Sequence, residues 1–302
     1  MVLTTYETKV DDLILEMLQR DDAEYTGVMQ QHAMVMTRQI VDHPLILLSL
    51  DTSGRVAGGH DLLREVEQYL EDRSIVAEVI ETGSIGLHLA DPSISIQLPG
   101  RTRLVFGGLS VDDIPFILDD VFHHTIPREH LLGQVRNGSL DAWREVPFLD
   151  EHPFFSKQKR ILLRDCGVID PMSIEEYIAG GGYISFLKTI RHYTFEEICQ
   201  LVEESGLRGR SGSGFLTGTK WKVAYHTPGD QKYLICNAEE SDPGAFMDRT
   251  LMEGNPHQLL EGISIASYAI GATKAIIYIR SEYRESLRKL EHAIASARRY
   301  GL

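Results

Sequence analysis

Apolar positions change their period several times along the chain, and those changes divide it. Over residues 1–41, Leu13, Leu15, Met17 and Leu18 give way to Val28, Met29, Met34, Val35, Met36 and Ile40. This predicts two helices, broken at the polar pair Asp21 and Asp22, which can cap the second. From 44 to 122 the pattern alternates between strand and helix. A continuous apolar run at 45–50 predicts a buried strand, 61–70 an amphipathic helix, and 75–80, 93–97 and 103–106 three further strands. Ser110 then caps a helix over 111–122, with Asp112 and Asp113 in its first turn. The order βαβ followed by ββα is that of a thioredoxin-like unit. Residues 123–158 are turn-rich and predict a linker with two short helical pieces. Beyond 159, strands at 161–163, 233–236 and 276–280 alternate with helices at 173–179, 184–190, 194–204 and 282–299. Thr194 and Glu197 have capping-box spacing.

One stretch belongs to neither period. Residues 206–221 contain Gly206, Gly209, Gly212, Gly214 and Gly218 together with Arg208, Arg210 and Lys220, after a helical run and before a strand. Glycine permits positive φ and close backbone approach, and successive amides turned one way bind anions. The candidate ligand is therefore a phosphate-bearing one. The spacing is neither a P-loop, which needs Gly-Lys-Ser/Thr, nor the dinucleotide G-x-G-x-x-G. The strand at 233–236 ends at Asn237, and Glu239, Glu240 and Asp242 follow where a parallel sheet opens onto its ligand crevice. Acids there suit hydroxyl and ring N–H groups rather than phosphate. They also bias the site against a ligand with an additional phosphate.

Composition narrows the class. The 302 residues carry a net charge of −14, which disfavours nucleic acid and anionic membrane as partners. No apolar run reaches membrane-spanning length and the N-terminus lacks a signal-peptide pattern, so the expected compartment is the cytoplasm, without direct membrane insertion. Cys166, Cys199 and Cys236 are far apart and read as buried apolar residues; the adjacent His123 and His124 do not share a helix face, so no metal site is expected.

The glycine loop, Asn237 to Arg249, Met252 to His257, Glu261-Gly262 and Tyr268 to Ala272, in this order, resemble the family of NADH-binding FMN flavoprotein subunits, the complex I 51 kDa type. Asp242 to Arg249 is most similar to the hydrogenase and formate dehydrogenase branch, and the resemblance covers about 154–302. It implies an α/β chain: a degenerate thioredoxin-like domain (44–122), after a helical segment (1–43) and before a linker (123–158), then the N-terminal part of a Rossmann-like FMN/NADH-binding domain (159–302). It implies FMN and NAD(H) cofactors held by Gly209, Arg210, Ser211, Gly212, Ser213, Gly214, Phe215, Lys220, Asn237, Glu239, Glu240 and Asp242. Asp242 and Phe215 would face the nicotinamide nucleotide. No catalytic base is expected.

In that branch the thioredoxin-like domain carries a 2Fe-2S cluster, but here Ser84 and His88 occupy two ligand positions and the first-strand segment has no cysteine. Thiolates hold such clusters, so loss of the cluster is expected, leaving His88 as a surface histidine. Iron-sulfur clusters are expected on partners or in a C-terminal region beyond Leu302. The partners implied are a 2Fe-2S thioredoxin-like subunit and other redox subunits of an NADH-oxidising or NAD-reducing complex. Ser211, Ser213, Glu239 and Val223 depart from the family pattern, and a structural or assembly paralogue without cofactors is the alternative.

Overall fold

The computed structural model describes residues 3–210, 212–242 and 244–302, with side chains from residue 10 onward. Two helices come first, α1 (Leu3–Leu18) and α2 (Gly27–Met36). Thr26, not the Asp21–Asp22 pair, stands at the α2 N-cap. β1 (Leu45–Ser49) follows and is buried along its whole length, as an uninterrupted apolar run requires. It pairs in parallel with β2 (Glu78–Thr82) on one side and antiparallel with β3 (Ile94–Gln97) on the other. β4 (Leu104–Phe106) and β5 (Leu131–Gln134) extend the sheet antiparallel, in the order β2-β1-β3-β4-β5.

A parallel pair needs a crossover, here α3 (Thr52–Val56) and α4 (Gly59–Asp72). Leu62, Val66 and Tyr69 of α4 and Ile114, Ile117 and Leu118 of α5 (Asp113–Phe122) share one core with Ile46, Leu48, Ile94 and Phe106 of the sheet. Each such side chain contributes roughly 1.5–3 kcal/mol by leaving water.

Three local expectations change. Residues 123–158 do not stand apart as a linker: they supply β5, and Trp143 and Val146 join the same core. Ser110 does not cap α5 as an acceptor; its N–H and hydroxyl both donate to Asp113 Oδ2, at 2.7 and 2.6 Å. Residues 161–163 form turns rather than a strand, with Ile161 and Leu162 exposed.

The second unit runs through α6 (Ile174–Ala179), α7 (Ile184–His192), α8 (Phe195–Glu204), α9 (Thr217–His226), β6 (Tyr233–Asn237), α10 (Met247–Gly254), α11 (Pro256–Ile270), β7 (Lys274–Tyr278) and α12 (Arg284–Arg299). β6 and β7 are parallel, with Asn237 opposite Tyr278. Leu234, Cys236 and Ile277 pack against Leu260, Ile263 and Ala293 of α11 and α12, whereas Tyr233, Ile235, Ile276 and Tyr278 are exposed. The strand expected to be buried is thus covered on one face.

α1 and α2 belong with this unit: Ile14, Met17 and Met29 pack with Ile174, Ile178, Tyr183 and Tyr300. Below that cluster, buried His257 meets the Tyr183 hydroxyl at 2.9 Å, and Glu261 accepts from the Tyr177 hydroxyl at 2.6 Å. Cys166 and Cys199 are buried and Cys236 half-buried, all free thiols. Among the described residues no helix is long and apolar enough to cross a membrane, and no His/Cys/Asp/Glu group is arranged to hold a metal ion.

The two units meet closely. A Cβ on Gly83 would lie 2.6 Å from Cα of Gly254, so only glycine fits. Thr82 Oγ1 donates to the Ile169 carbonyl at 2.7 Å, and Arg38, just after α2, pairs with both Glu78 of β2 at 3.0 Å and buried Glu176 of α6.

Candidate functional site

The glycine stretch forms a loop with a narrow neck. Gly206 turns the chain out of α8 at φ +68°, Thr217 N donates to the Leu207 carbonyl at 2.9 Å, and Gly209 N donates to the Phe215 carbonyl at 2.9 Å. The Arg208 guanidinium closes the neck on the Gly214 carbonyl at 2.8 Å, and Arg210 folds back onto the Arg208 carbonyl at 3.0 Å. Gly212 and Gly214 take φ of +98° and +60°, and a Cβ on either would meet nothing within 4 Å. The backbone there is left-handed and borders open space. Ser213 is exposed and Phe215 is 55% exposed, so that ring does not anchor the loop in a core. Ser211 lies outside the described residues.

The loop leads into α9, a helix where the sequence predicted only a strand to follow. Its N-cap, Leu216, offers no side-chain acceptor to the first-turn amides, and Lys220 stands exposed one turn in. An uncapped N-terminus presents amide N–H groups and a partial positive charge, the condition for holding an anion. Tertiary contacts hold this glycine-bearing helix. A Cβ on Gly218 would lie 2.2 Å from the Glu203 amide nitrogen, Thr219 Oγ1 donates to Glu203 Oε1 at 2.7 Å, and Lys222 pairs with the same carboxylate. Trp221 and Tyr225 pack on Ile198, Cys199 and Ala269.

The acidic group lies at the carboxyl end of β6. Asn237 is exposed and its Oδ1 accepts from the Glu239 N–H at 3.2 Å; Glu239 pairs with Arg280 at 3.5 Å. Asp242 is exposed. Glu240 is different. It is buried, and its carboxylate accepts from the amides of Met247 at 2.5 Å and Asp248 at 3.0 Å and from Arg249 Nε at 3.1 Å. It caps α10, and its reach toward a ligand is indirect, through the loop it holds. Burial, with Glu240 nearby, pushes the Asp248 carboxyl up.

The loop and the acidic group remain two clusters: no hydrogen bond or ion pair among the described residues joins them. Their common support is α11, on which both α9 and β6 pack.

Sequence reasoning missed the residues that fasten α10 to the first unit. His88, expected on the surface, is partly buried, with Nδ1 at 3.1 Å from Asp91 Oδ2 and Nε2 at 3.4 Å from Thr250 Oγ1. The Asp91 hydrogen bond holds its pKa above the ordinary value. Ser84 donates to Asp91 at 2.9 Å. The one sequence signal for Ser84 and His88 was their shared place in the segment 82–88.

Residues 202–301 match the family described as Nuo51 FMN-binding domain. The NADP-reducing hydrogenase subunit HndC of Solidesulfovibrio fructosivorans is 51% identical over 146 residues, 48% of this chain and 29% of that protein. An NADH-quinone oxidoreductase subunit of Rhizobium meliloti is 50% identical over 141 residues, 47% of this chain and 34% of its own length. Its counterpart in the NADH-quinone oxidoreductase of Escherichia coli is 40% identical over 136 residues, 44% of this chain and 30% of its own. The chain thus spans about three-tenths of the length of these relatives. An air-oxidized NAD+-reducing NiFe-hydrogenase structure covers 89% of this chain and 44% of its own at 24% identity, with a TM-score of 0.33 that supports no structural argument. What this chain shares with these relatives is therefore a likeness in part, carried by residues 202–301, to the family described as Nuo51 FMN-binding domain.

Proposed function

We propose that this chain is the FMN- and NAD(H)-binding portion of a flavoprotein subunit in an NADH-oxidising or NAD-reducing complex. The observation that carries the reading is the left-handed, open-sided glycine loop running into the uncapped N-terminus of α9, inside the segment that matches the family. Open space beside Gly212 and Gly214 and the lack of a side-chain cap on α9 support a phosphate-bearing ligand there.

Backbone amides of Gly212 to Gly214 and the α9 N-terminus beyond Thr217 would hold the phosphate, with the Gly209 and Thr217 amides closing the neck and Lys220 as a charged donor. Asn237 would bond the ribityl or ring edge. Glu239, already beside Arg280, would accept from hydroxyls and disfavour the extra phosphate of NADPH, while Asp242 and Phe215 would face the nicotinamide nucleotide. FMN, when bound, supplies the two-electron to one-electron chemistry between NAD(H) and iron-sulfur clusters on partner chains. The protein contributes position and charge and no catalytic base.

The order β2-β1-β3-β4, with β1 and β2 parallel and β3 and β4 antiparallel, supports reading residues 44–122 as thioredoxin-like. The commitment of Ser84 and His88 to Asp91 supports a unit that has exchanged its cluster for a packed polar network. Its partners would be a 2Fe-2S thioredoxin-like subunit and other redox subunits, in the cytoplasm.

The test is an absorbance and fluorescence spectrum of the purified chain after incubation with FMN, followed by NADH. Bound flavin that bleaches with NADH supports the whole reading, and bound flavin that does not bleach restricts it to FMN. Absence of bound flavin overturns it in favour of a cofactor-free structural role.

A further inference from the structure

His88 stands where the two units meet, one end on Asp91 and the other on α10. Thr250 donates its own hydroxyl hydrogen to the Phe246 carbonyl, so its oxygen presents a lone pair to His88 Nε2. Asp91, whose side chain is fully buried, accepts at Nδ1. Both partners are acceptors. Only the imidazolium donates to both at once, and a neutral ring must give one up.

The ring also supports the residue that starts α10. Phe246 adopts φ +51°, a left-handed conformation that is unfavourable for a non-glycine side chain and therefore needs external support. Its ring lies 5.3 Å from His88 and 3.9 Å from the Arg249 guanidinium. Arg249 in turn pairs with Glu240 at 3.1 Å, and the Glu240 carboxylate gathers the first amides of α10.

We propose that His88, contributed by the first unit, is a positioning residue for the acidic end of the candidate site. It fixes the start of α10 through Phe246 and Thr250, and with it the Glu240 carboxylate that grips those amides, and so sets where the neighbouring Glu239 and Asp242 meet the ligand. The effect on ligand rests on the reading of this site as one for FMN; the effect on α10 does not. The charges facing His88 are Asp91 beside it and Asp51 of the α3 N-cap, which favour the imidazolium, and Arg249 of α10, which opposes it.

The test uses the full chain and flavin fluorescence titrations of His88→Ala, His88→Gln, Thr250→Val, Thr250→Ser and the double variant His88→Ala/Thr250→Val. FMN affinity is expected to fall about three- to tenfold in His88→Ala and in Thr250→Val, the loss associated with one or two hydrogen bonds. Thr250→Ser should recover it, and the double variant should be no worse than the weaker single one. Wild-type affinity in a folded His88→Ala and His88→Gln, or losses that multiply in the double variant, would overturn the proposal. Hydrogen exchange at amides 247–250 is read in parallel. It should quicken in His88→Ala whether or not flavin binds, and unchanged protection there would refute the positioning role. Failure of wild-type protein to bind FMN would instead refute the FMN reading.

Discussion

Glu253 of α10 accepts from the backbone N–H and the hydroxyl of Thr52, at 2.6 and 2.8 Å, across 201 residues of sequence. The carboxylate is buried and also accepts from Ser286 Oγ at 2.6 Å, while Lys289 Nζ donates to its backbone carbonyl at 2.8 Å. One side chain therefore joins α3, α10 and α12. Glu253→Ala strands three donors, two on partly buried Thr52 and one on buried Ser286, and the expected loss is about 3 kcal/mol in urea unfolding, with Glu253→Gln losing less.

The neighbouring contact is steric. Gly83→Ala would place its Cβ 2.6 Å from the Gly254 backbone, which cannot yield as a flexible side chain would. A destabilisation of about 2 kcal/mol is expected in thermal or urea unfolding. Gly138→Ala, where a Cβ meets nothing within 4 Å, should change stability by less than about 0.5 kcal/mol.

Lys220 is exposed and its side chain makes no hydrogen bond or ion pair among the described residues, so Lys220→Ala separates binding from stability. The melting temperature should stay unchanged while FMN affinity falls about tenfold, as for loss of one charged donor to phosphate, measured by flavin fluorescence.

Two buried groups give stability opposite pH dependences. Burial, then the charges of Asp91 and Glu253, push the Asp51 carboxyl up from 3.8 to about 6, so between those values the folded chain holds the extra proton and stability falls as pH rises. Burial pushes His257 down from 6.5 to about 4; there the unfolded chain holds the extra proton, and stability rises with pH. The two largely offset one another between about pH 4 and 6. Asp51→Asn should unmask a rise of about 3 kcal/mol across that window, read from urea unfolding at several pH values. His257→Gln should unmask the opposite slope.

The sequence reading matches the structure where it depended on local backbone chemistry. Gly212 and Gly214 adopt the positive φ their identity permits, Thr194 and Glu197 close their capping box, and Asn237 ends its strand. It did not anticipate the burial of Glu240 against α10, since one acid among several in a turn looks like any other until its partners are known. His88 failed for the same reason, because its partner Thr250 lies 162 residues away.

By itself the sequence determined the alternation of strands and helices, the glycine loop and the likeness of its C-terminal part to the Nuo51 FMN-binding domain, because hydrophobic period, turn chemistry and motif spacing all act over short stretches. Only the tertiary structure decided that β5 and Trp143 complete the first core and that α1 and α2 pack on α6. It likewise decided that Gly83 and Gly254 touch, and that Glu240 is spent on α10. These are pairings between distant segments, chosen by shape and by the need of buried polar groups for partners, and no local pattern encodes which segment will supply them.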